Sequence, residues 1–237
     1  MPLALTGSLA AAGLLAGWPQ RAAITRLALP GARIWPEALV PGSVTAVLLG
    51  ALAVRIPSGP VPGSTALDGT AARALVLAAA CWLAVCAVPL IFTDLAVSRL
   101  PDPLTAAAYA GTAALLVLAA ATGGAAAGSA AGGHPASWSA LARALLGGLA
   151  LAGCYLLLMI ISPSGMSLGD VKLAASLGTL LAWFGWRVLI AGGAAGFLLG
   201  GLGGVVLLAS RRADRKQLIP FGPFMIAGTF LAVLTFR

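Results

Sequence analysis

Two aspartates stand next to long apolar stretches of this chain, where a carboxylate group is expensive to place. Asp94 directly follows the run CWLAVCAVPLIFT, and Asp170 lies in SLGDVKL between two apolar runs. If two such groups meet, their titration splits, so that one is ionised while the other keeps its proton. The ionised carboxylate can then take a proton from water, while the protonated carboxyl polarises a carbonyl group. A convergent pair therefore predicts hydrolysis of a peptide bond, and this chemistry needs no metal and no cofactor.

Each of these two acids also has a structural interpretation. Asp94 lies in the last turn of a predicted helix, where its charge opposes the negative end of the macrodipole, so capping does not explain it. Pairing with Arg99 at the membrane interface is the alternative. Asp170 and Ser167 are spaced S-x-x-D, which is typical of a capping box at a helix start, and capping is compatible with a catalytic role.

The other four acids have simpler interpretations. Asp102 precedes Pro103 at the start of an apolar run, which predicts that it caps a helix. The remaining three are expected to be solvated: Glu37, Asp68 and Asp214.

The composition places these acids in a membrane protein. Hydrophobic residues make up 60% of the chain, charged residues make up 8%, and the mean hydropathy is +1.03. A soluble domain of this composition would lack the polar surface that keeps it in solution. Apolar runs long enough for the ~30 Å hydrocarbon core of a bilayer recur along the chain. We therefore expect one all-α domain, residues 1–237, folded as a polytopic transmembrane helical bundle in a lipid bilayer.

The basic residues predict how this bundle is oriented. Eight spans are predicted, at 3–18, 38–54, 74–92, 104–122, 139–161, 171–186, 188–209 and 221–236. With the N-terminus outside, nine of the fourteen basic residues face the cytoplasm, as the positive-inside rule favours: Arg21, Arg26, Arg33, Arg99, Lys172, Arg211, Arg212, Arg215 and Lys216. Two spans separate Asp94 from Asp170, and an even number of crossings returns the chain to its starting side. Both acids are therefore expected at the cytoplasmic face.

Several other features predict no additional site. The net charge of +8 is better explained by membrane orientation and lipid headgroups than by nucleic acid. The three cysteines lie within apolar runs without a CxxC pair, and the one histidine is His134, so neither a zinc site nor a disulfide framework is predicted. Four glycines of the seventh span recur at four-residue spacing, which predicts close helix packing: Gly192, Gly196, Gly200 and Gly204.

Three segments of the chain resemble the type IV prepilin peptidase family, the bacterial members of the GxGD membrane aspartic proteases. FTDLAVSRLPDPLT (92–105) is similar to the family's first aspartate segment, where the catalytic Asp precedes a basic residue, an Ile/Leu-Pro pair and then Asp or Asn. GMSLGDVKLAASLG (165–178) is similar to the GxGD-x-K segment, and LIPFGPFMIAG (218–228) to a short motif near the C-terminus. The order of the three segments on one predicted side makes the resemblance specific, whereas GD alone would be weak.

The resemblance implies roles for particular residues. Asp94 and Asp170 would be the catalytic pair, and Gly169 would allow close backbone approach beside the second acid. Three further residues match family positions without a role that the sequence defines: Arg99, Pro101 and Lys172. A cationic neighbour could tune the acids or merely anchor a helix. The LIPFGPF segment either bends the chain near the substrate or caps the eighth span, and we favour the structural interpretation.

The chain departs from the family pattern at two places. Ser167 stands where the first Gly of GxGD is expected, and its small side chain could fit there while capping the helix. Many family members also carry a cytoplasmic domain with paired cysteines after the first span and N-methylate the trimmed pilin. The corresponding loop here is about nineteen residues long and has no cysteine, so N-methyltransferase activity is not expected.

By resemblance, the protein is expected to be a multi-pass protein of the bacterial cell membrane that cleaves the leader from a prepilin or pilin-like precursor at the cytoplasmic face. The alternatives are a proton-coupled transporter, in which membrane acids relay protons, and a non-enzymatic component of a pilus or secretion assembly. Transporters tend to place acids near the midplane of repeated or broken helices. The sequence leaves the identity of the pilin and the oligomeric state open.

Overall fold

The computed structural model describes residues 2–27, 39–56, 69–97, 100–125, 136–161, 166–209 and 220–236. Arg99, the basic residue of the first aspartate segment, lies outside the described residues. The three acids that were predicted to be solvated, Glu37, Asp68 and Asp214, lie outside them as well. The assignment of all 237 residues to one domain stays a prediction.

The described part of the chain is helical and contains no strand, which confirms the all-α prediction. Apolar segments rich in Ala and Leu favour helices, and helices satisfy every backbone polar group within the segment, as a bilayer requires. The described residues form eight helices: α1 (Pro2–Leu27), α2 (Leu39–Arg55), α3 (Gly69–Val97), α4 (Asp102–Ala125), α5 (Ala136–Ile161), α6 (Leu168–Phe184), α7 (Trp186–Ala209) and α8 (Gly222–Thr235).

Four of these helices are long and apolar enough to cross a membrane by length and composition: Ala71–Val97, Asp102–Thr122, Trp138–Ile161 and Trp186–Val205. Helices α2 and α8 are apolar but shorter. Each predicted span corresponds to one helix, although α1 extends to Leu27 where the sequence predicted an end at residue 18. Arg21 and Arg26 therefore lie on a helix rather than in a loop, because the helical turns continue past Pro19. That all eight helices cross the bilayer stays a prediction.

Helix α6 lies at the centre of the bundle. Helices adjacent in sequence form the most extensive contacts, in the pairs α1–α2, α3–α4, α5–α6 and α7–α8. Helix α6 also contacts α3, α4, α7 and α8. Its side chains are correspondingly buried, with Leu173, Leu180 and Leu181 fully enclosed and Trp183 only 1% exposed. A helix enclosed in this way holds the residues at its ends in fixed positions.

Both ends of α6 are fastened by specific contacts. At the N-terminal end, Ser167 forms a capping box with Asp170. At the C-terminal end, the Arg143 guanidinium donates hydrogen bonds from Nε and Nη2 to the carbonyl oxygens of Ala182 and Trp183, both at 2.8 Å. A cation at this end of a helix also opposes the negative pole of the macrodipole. Gly185 then turns the chain directly into α7 with φ of 137°, a conformation that favours glycine.

The glycine stripe of the seventh span is a packing surface, as predicted. A Cβ atom at Gly196 would lie 3.1 Å from the Met225 Cα of α8, and one at Gly192 would lie 2.7 Å from Leu181 of α6. Gly228 of α8 faces the Gly196 backbone so closely that it has no room for a side chain. Small residues at this crossing let the two helices approach closely, which sets the position of α8 in the bundle.

Candidate active site

Asp94 is held by the start of another helix. It lies in the last turn of α3 and is 4% exposed. Its Oδ2 accepts a hydrogen bond from the Gly222 backbone N–H at 3.0 Å, and Gly222 is the first residue of α8. The first N–H groups of a helix lack partners within the helix and carry partial positive charge, so they stabilise a carboxylate. Helix α8 thereby supplies the favourable electrostatics that the C-terminal end of α3 cannot.

The approach at Gly222 leaves no room for a side chain. A Cβ atom there would lie 2.9 Å from Asp94 Oδ2 and 3.5 Å from Asp94 Cγ. A side chain at this position would therefore displace the carboxylate from the helix start. The position of Asp94 depends on α3 and α8 packing together.

Asp170 is held by its own segment. It is the third residue of α6 and is 5% exposed. The backbone N–H and the hydroxyl of Ser167 donate to its Oδ2 at 2.8 Å and 2.9 Å, and its own N–H donates to the Ser167 Oγ at 3.4 Å. The other carboxyl oxygen, Oδ1, is buried and has no hydrogen-bond partner among the described residues. A buried polar atom without a partner is unfavourable by about 1–3 kcal/mol, so Oδ1 is available to a ligand or to water.

The two carboxyl groups come together at one end of the bundle. Asp94 lies at the C-terminal end of α3, Asp170 at the N-terminal end of α6, and α3 contacts α6 directly. The two groups lie within electrostatic reach of one another. The N-terminal ends of α4 and α8 lie at the same end, because Asp102 contacts α6 and Gly222 contacts Asp94. The two acids that the sequence placed on one side therefore lie at the same end of the bundle, and their role as a pair stays a prediction.

Leu100, just before α4, packs against the first turn of α6. A Cβ atom at Gly169 would lie 2.7 Å from the Leu100 Cβ, so the two segments touch where Gly169 lacks a side chain. The carbonyl oxygen of Pro101 accepts hydrogen bonds from the backbone N–H groups of Leu104 and Thr105, both at 3.1 Å, and so opens α4. These contacts place Leu100 and the start of α4 beside the turn of α6 that carries Asp170.

Lys172 pairs with an acid outside the candidate pair. Its Nζ lies 2.6 Å from the Asp102 Oδ1, and the two side chains are 50% and 73% exposed. Asp102, predicted as the N-cap of its helix, is the first residue of α4, and its carboxylate links α4 to α6 through this ion pair. Lys172 therefore anchors two helix starts to each other.

Sequence reasoning missed two contributors to the site. Gly222 belongs to the LIPFGPF segment, whose resemblance to a family motif was the available signal. Tyr155 of α5 carried no signal in the sequence. It is 3% exposed, lies within electrostatic reach of Asp170, and packs its ring edge-on against Phe221 with 6.1 Å between ring centroids. Phe221 is the residue before Gly222, so these rings connect the surroundings of the two acids.

Fold and site together define a helical membrane protein with two buried carboxyl groups at one end of its bundle. The chain is 36% identical over 96 residues to the prepilin leader peptidase/N-methyltransferase of Pseudomonas aeruginosa, which covers 40% of this chain and 32% of that protein. It is 38% identical over 96 residues to the protein of the same name from Stutzerimonas stutzeri, with the same coverage. A third relative of this name, from Aeromonas salmonicida, is 31% identical over 148 residues, covering 62% of this chain and 45% of that protein.

These similarities confirm the resemblance to the type IV prepilin peptidase family. The chain spans between about a third and under a half of the length of these curated relatives. No family model matches the chain, and no solved structure matches it.

Proposed function

We propose that this protein is an aspartic endopeptidase that removes the leader peptide from type IV prepilins or pilin-like precursors. The observation that carries the proposal is a pair of buried carboxyl groups within electrostatic reach, one of which keeps an unpartnered oxygen. Asp94 and Asp170 are each held through Oδ2 at a helix start, and Asp170 Oδ1 is the atom without a partner. The relatives named prepilin leader peptidase support the choice of substrate.

In the proposed mechanism the two carboxyl groups share one proton. The ionised group takes a proton from a water molecule while the water oxygen forms a bond to the scissile carbonyl carbon. The protonated group gives its proton to the carbonyl oxygen, and a neutral tetrahedral intermediate results. The carboxyl that took the water proton then gives it to the leaving nitrogen, and a hydroxyl of the intermediate returns its proton to the other carboxylate as the C–N bond breaks, which restores the singly protonated pair. Because the pair titrates as a unit, neither carboxyl is assigned one fixed role.

We place this site at the cytoplasmic face of a bacterial inner membrane. The excess of basic residues on that side of the predicted topology supports the orientation. A precursor with a hydrophobic helix in the bilayer would then present its leader to the acids, and a glycine at the cleavage point would let an extended backbone enter between helices. The relatives' name also includes N-methyltransferase. The absence of that activity in this chain stays a prediction.

The test is leader removal by the purified full chain in proteoliposomes that contain a prepilin with its leader. Wild type is expected to cleave, and Asp94→Asn and Asp170→Asn are each expected to be inactive while remaining folded. Asp102→Asn is the matched control, because its carboxylate lies at the same end but is exposed and contacts neither acid. Its activity is expected to stay near that of wild type.

The pH dependence gives a second test of the same pair. Cleavage requires one ionised and one protonated carboxyl, so the rate is expected to fall at both low and high pH. Cleavage that survives either Asp→Asn substitution at Asp94 or Asp170 would disprove the shared-proton mechanism. Proton uptake by the proteoliposomes without any cleavage would instead support a transporter.

A further inference from the structure

A groove of about 910 Å³ opens between α1, α3 and α4, away from the candidate active site. Its wall is almost wholly apolar and includes Leu9, Leu77, Val85 and Leu115. On α3 it extends from Arg73 to Val85, which corresponds to about 18 Å of helix at 1.5 Å per residue. This length is close to half of the ~30 Å hydrocarbon thickness of a bilayer, so the groove covers about one leaflet.

Arg73 lies at the end of this groove. Its Nε is buried and has no hydrogen-bond partner among the described residues. Arginine stays charged under all ordinary conditions, and a buried donor nitrogen without a partner is unfavourable even where the rest of the side chain is half-buried. Among the described residues, no anion completes this end of the groove.

The described carboxylates cannot serve as that anion. Asp94 is 21 residues further along the same helix, which corresponds to about 31 Å. Asp102 and Asp170 lie with Asp94 at the opposite end of the bundle. The phosphate group is an anion whose geometry matches the guanidinium fork, and it is attached to long apolar chains in membrane lipids.

We propose that this groove binds one anionic phospholipid, with its phosphate on Arg73 and an acyl chain along α3. The indole N–H of Trp82 donates to the Ala107 carbonyl oxygen at 3.0 Å, so the Trp82 ring offers only its apolar surface to the chain. A peptide helix would fill the apolar wall but leave the guanidinium unpaired unless it carried an acid. Free phosphate would pair with Arg73 but leave the wall uncovered. A phospholipid satisfies both parts of the groove.

The test compares lipids with identical acyl chains on the purified, delipidated full chain in a neutral detergent. Phosphatidylglycerol is expected to give a one-to-one adduct in native mass spectrometry and to raise the unfolding temperature. Phosphatidylcholine is expected to bind at least about tenfold more weakly, because its positive headgroup competes with Arg73 for the phosphate. Inorganic phosphate alone is expected to produce no thermal shift.

Three variants distinguish the contribution of the lipid headgroup to binding from that of the acyl chain. Arg73→Gln is expected to lose the preference for phosphatidylglycerol, with affinity reduced at least about tenfold, as for a charged hydrogen bond. Arg187→Gln is the matched control, because Arg187 is exposed at the start of α7 and outside the groove, and its lipid preference is expected to be unchanged. Ala78→Phe keeps Arg73 but fills the groove, and it is expected to lose lipid binding.

The unfolding temperature measured without lipid shows whether the loss of lipid binding in Arg73→Gln comes from misfolding. Because Arg73→Gln removes a half-buried cation whose buried Nε has no partner among the described residues, its unfolding temperature in detergent alone is expected to equal or exceed that of wild type. An undiminished lipid preference in Arg73→Gln would overturn the proposal, as would equal binding of the two lipids. A thermal shift with inorganic phosphate alone would identify an anion site without a lipid. Displacement of the lipid by the hydrophobic segment of a prepilin would assign the groove to a peptide.

Discussion

The two acids of the candidate site are held in place by different kinds of contact. Asp170 is held by Ser167, three residues earlier, through a capping box that forms within one helix start. Asp94 is held by Gly222, which is 128 residues away in the chain and belongs to another helix. One carboxylate is thus placed by local structure, and the other is placed by the assembly of the bundle.

This difference indicates where the site is sensitive to change. A capping box contains several hydrogen bonds, so the loss of one leaves others in place. The contact at Gly222 is a single backbone hydrogen bond between helices, and it depends on the close α7–α8 crossing at Gly196 and Gly228. The local support is therefore expected to tolerate substitution better than the long-range support.

The largest effect is expected for Gly222→Ala. The added Cβ atom would lie 2.9 Å from Asp94 Oδ2, so the carboxylate must move. A displacement of about 1 Å at a reacting group lowers rates by about 100-fold, and we expect a loss of that size in kcat/KM for prepilin cleavage. Gly201→Ala is the control, because nothing lies within 4 Å of a Cβ atom there. Wild-type cleavage by Gly222→Ala would show that the contact with α8 is dispensable.

The second-largest effect, a loss of stability, is expected for Gly169→Ala. Its Cβ atom would lie 2.7 Å from the Leu100 Cβ, and overpacking of this kind lowers the free energy of unfolding by about 1–3 kcal/mol. Leu100→Gly removes the opposing atom, so the double variant is expected to be more stable than the sum of the single changes predicts. Gly153→Ala has open space around the added atom and serves as the control. Additive losses in the double variant would argue against a direct contact.

A smaller effect is expected for Ser167→Ala. Loss of an N-cap hydroxyl lowers the free energy of unfolding by about 1 kcal/mol, whereas glycine at an N-cap lowers it by only a few tenths. Leader removal is expected to continue in both Ser167→Ala and Ser167→Gly, because the backbone N–H at this position still donates to Asp170. Ser43→Ala removes an exposed hydroxyl that contacts only its own helix, and it provides the baseline. An inactive Ser167→Gly variant would mean that the hydroxyl has a role beyond capping.

The smallest effect is expected for Lys172→Met. Exposed ion pairs contribute about 0.2–1 kcal/mol to stability, and salt screens them. The free energy of unfolding is therefore expected to fall by no more than about 1 kcal/mol, and less at high ionic strength. The measurement is a comparison of unfolding at low and high salt, with Asp102→Asn as the matched removal of the partner. A loss of cleavage beyond tenfold in Lys172→Met alone would assign Lys172 a role at the acids.

Much of this molecule follows from local pattern. The eight apolar runs predicted the eight helices of the described residues, because hydropathy acts over one segment at a time. The spacing of Ser167 and Asp170 predicted the capping box, which involves residues within one turn. The glycines of the seventh span predicted a close helix crossing, although the partner helix was not evident from their spacing.

Only the tertiary structure decided which distant residues meet. The counting of spans placed Asp94 and Asp170 on one side, but the N–H group that stabilises Asp94 comes from α8, and no local pattern connects the two positions. The sequence likewise did not predict that Lys172 pairs with Asp102 or that the Nε of Arg73 is buried. Hydropathy and residue spacing predict where a single helix lies and which of its faces is apolar. The contacts between helices depend on how the whole bundle packs, and that packing alone set the neighbours of the two carboxyl groups at this end of the bundle.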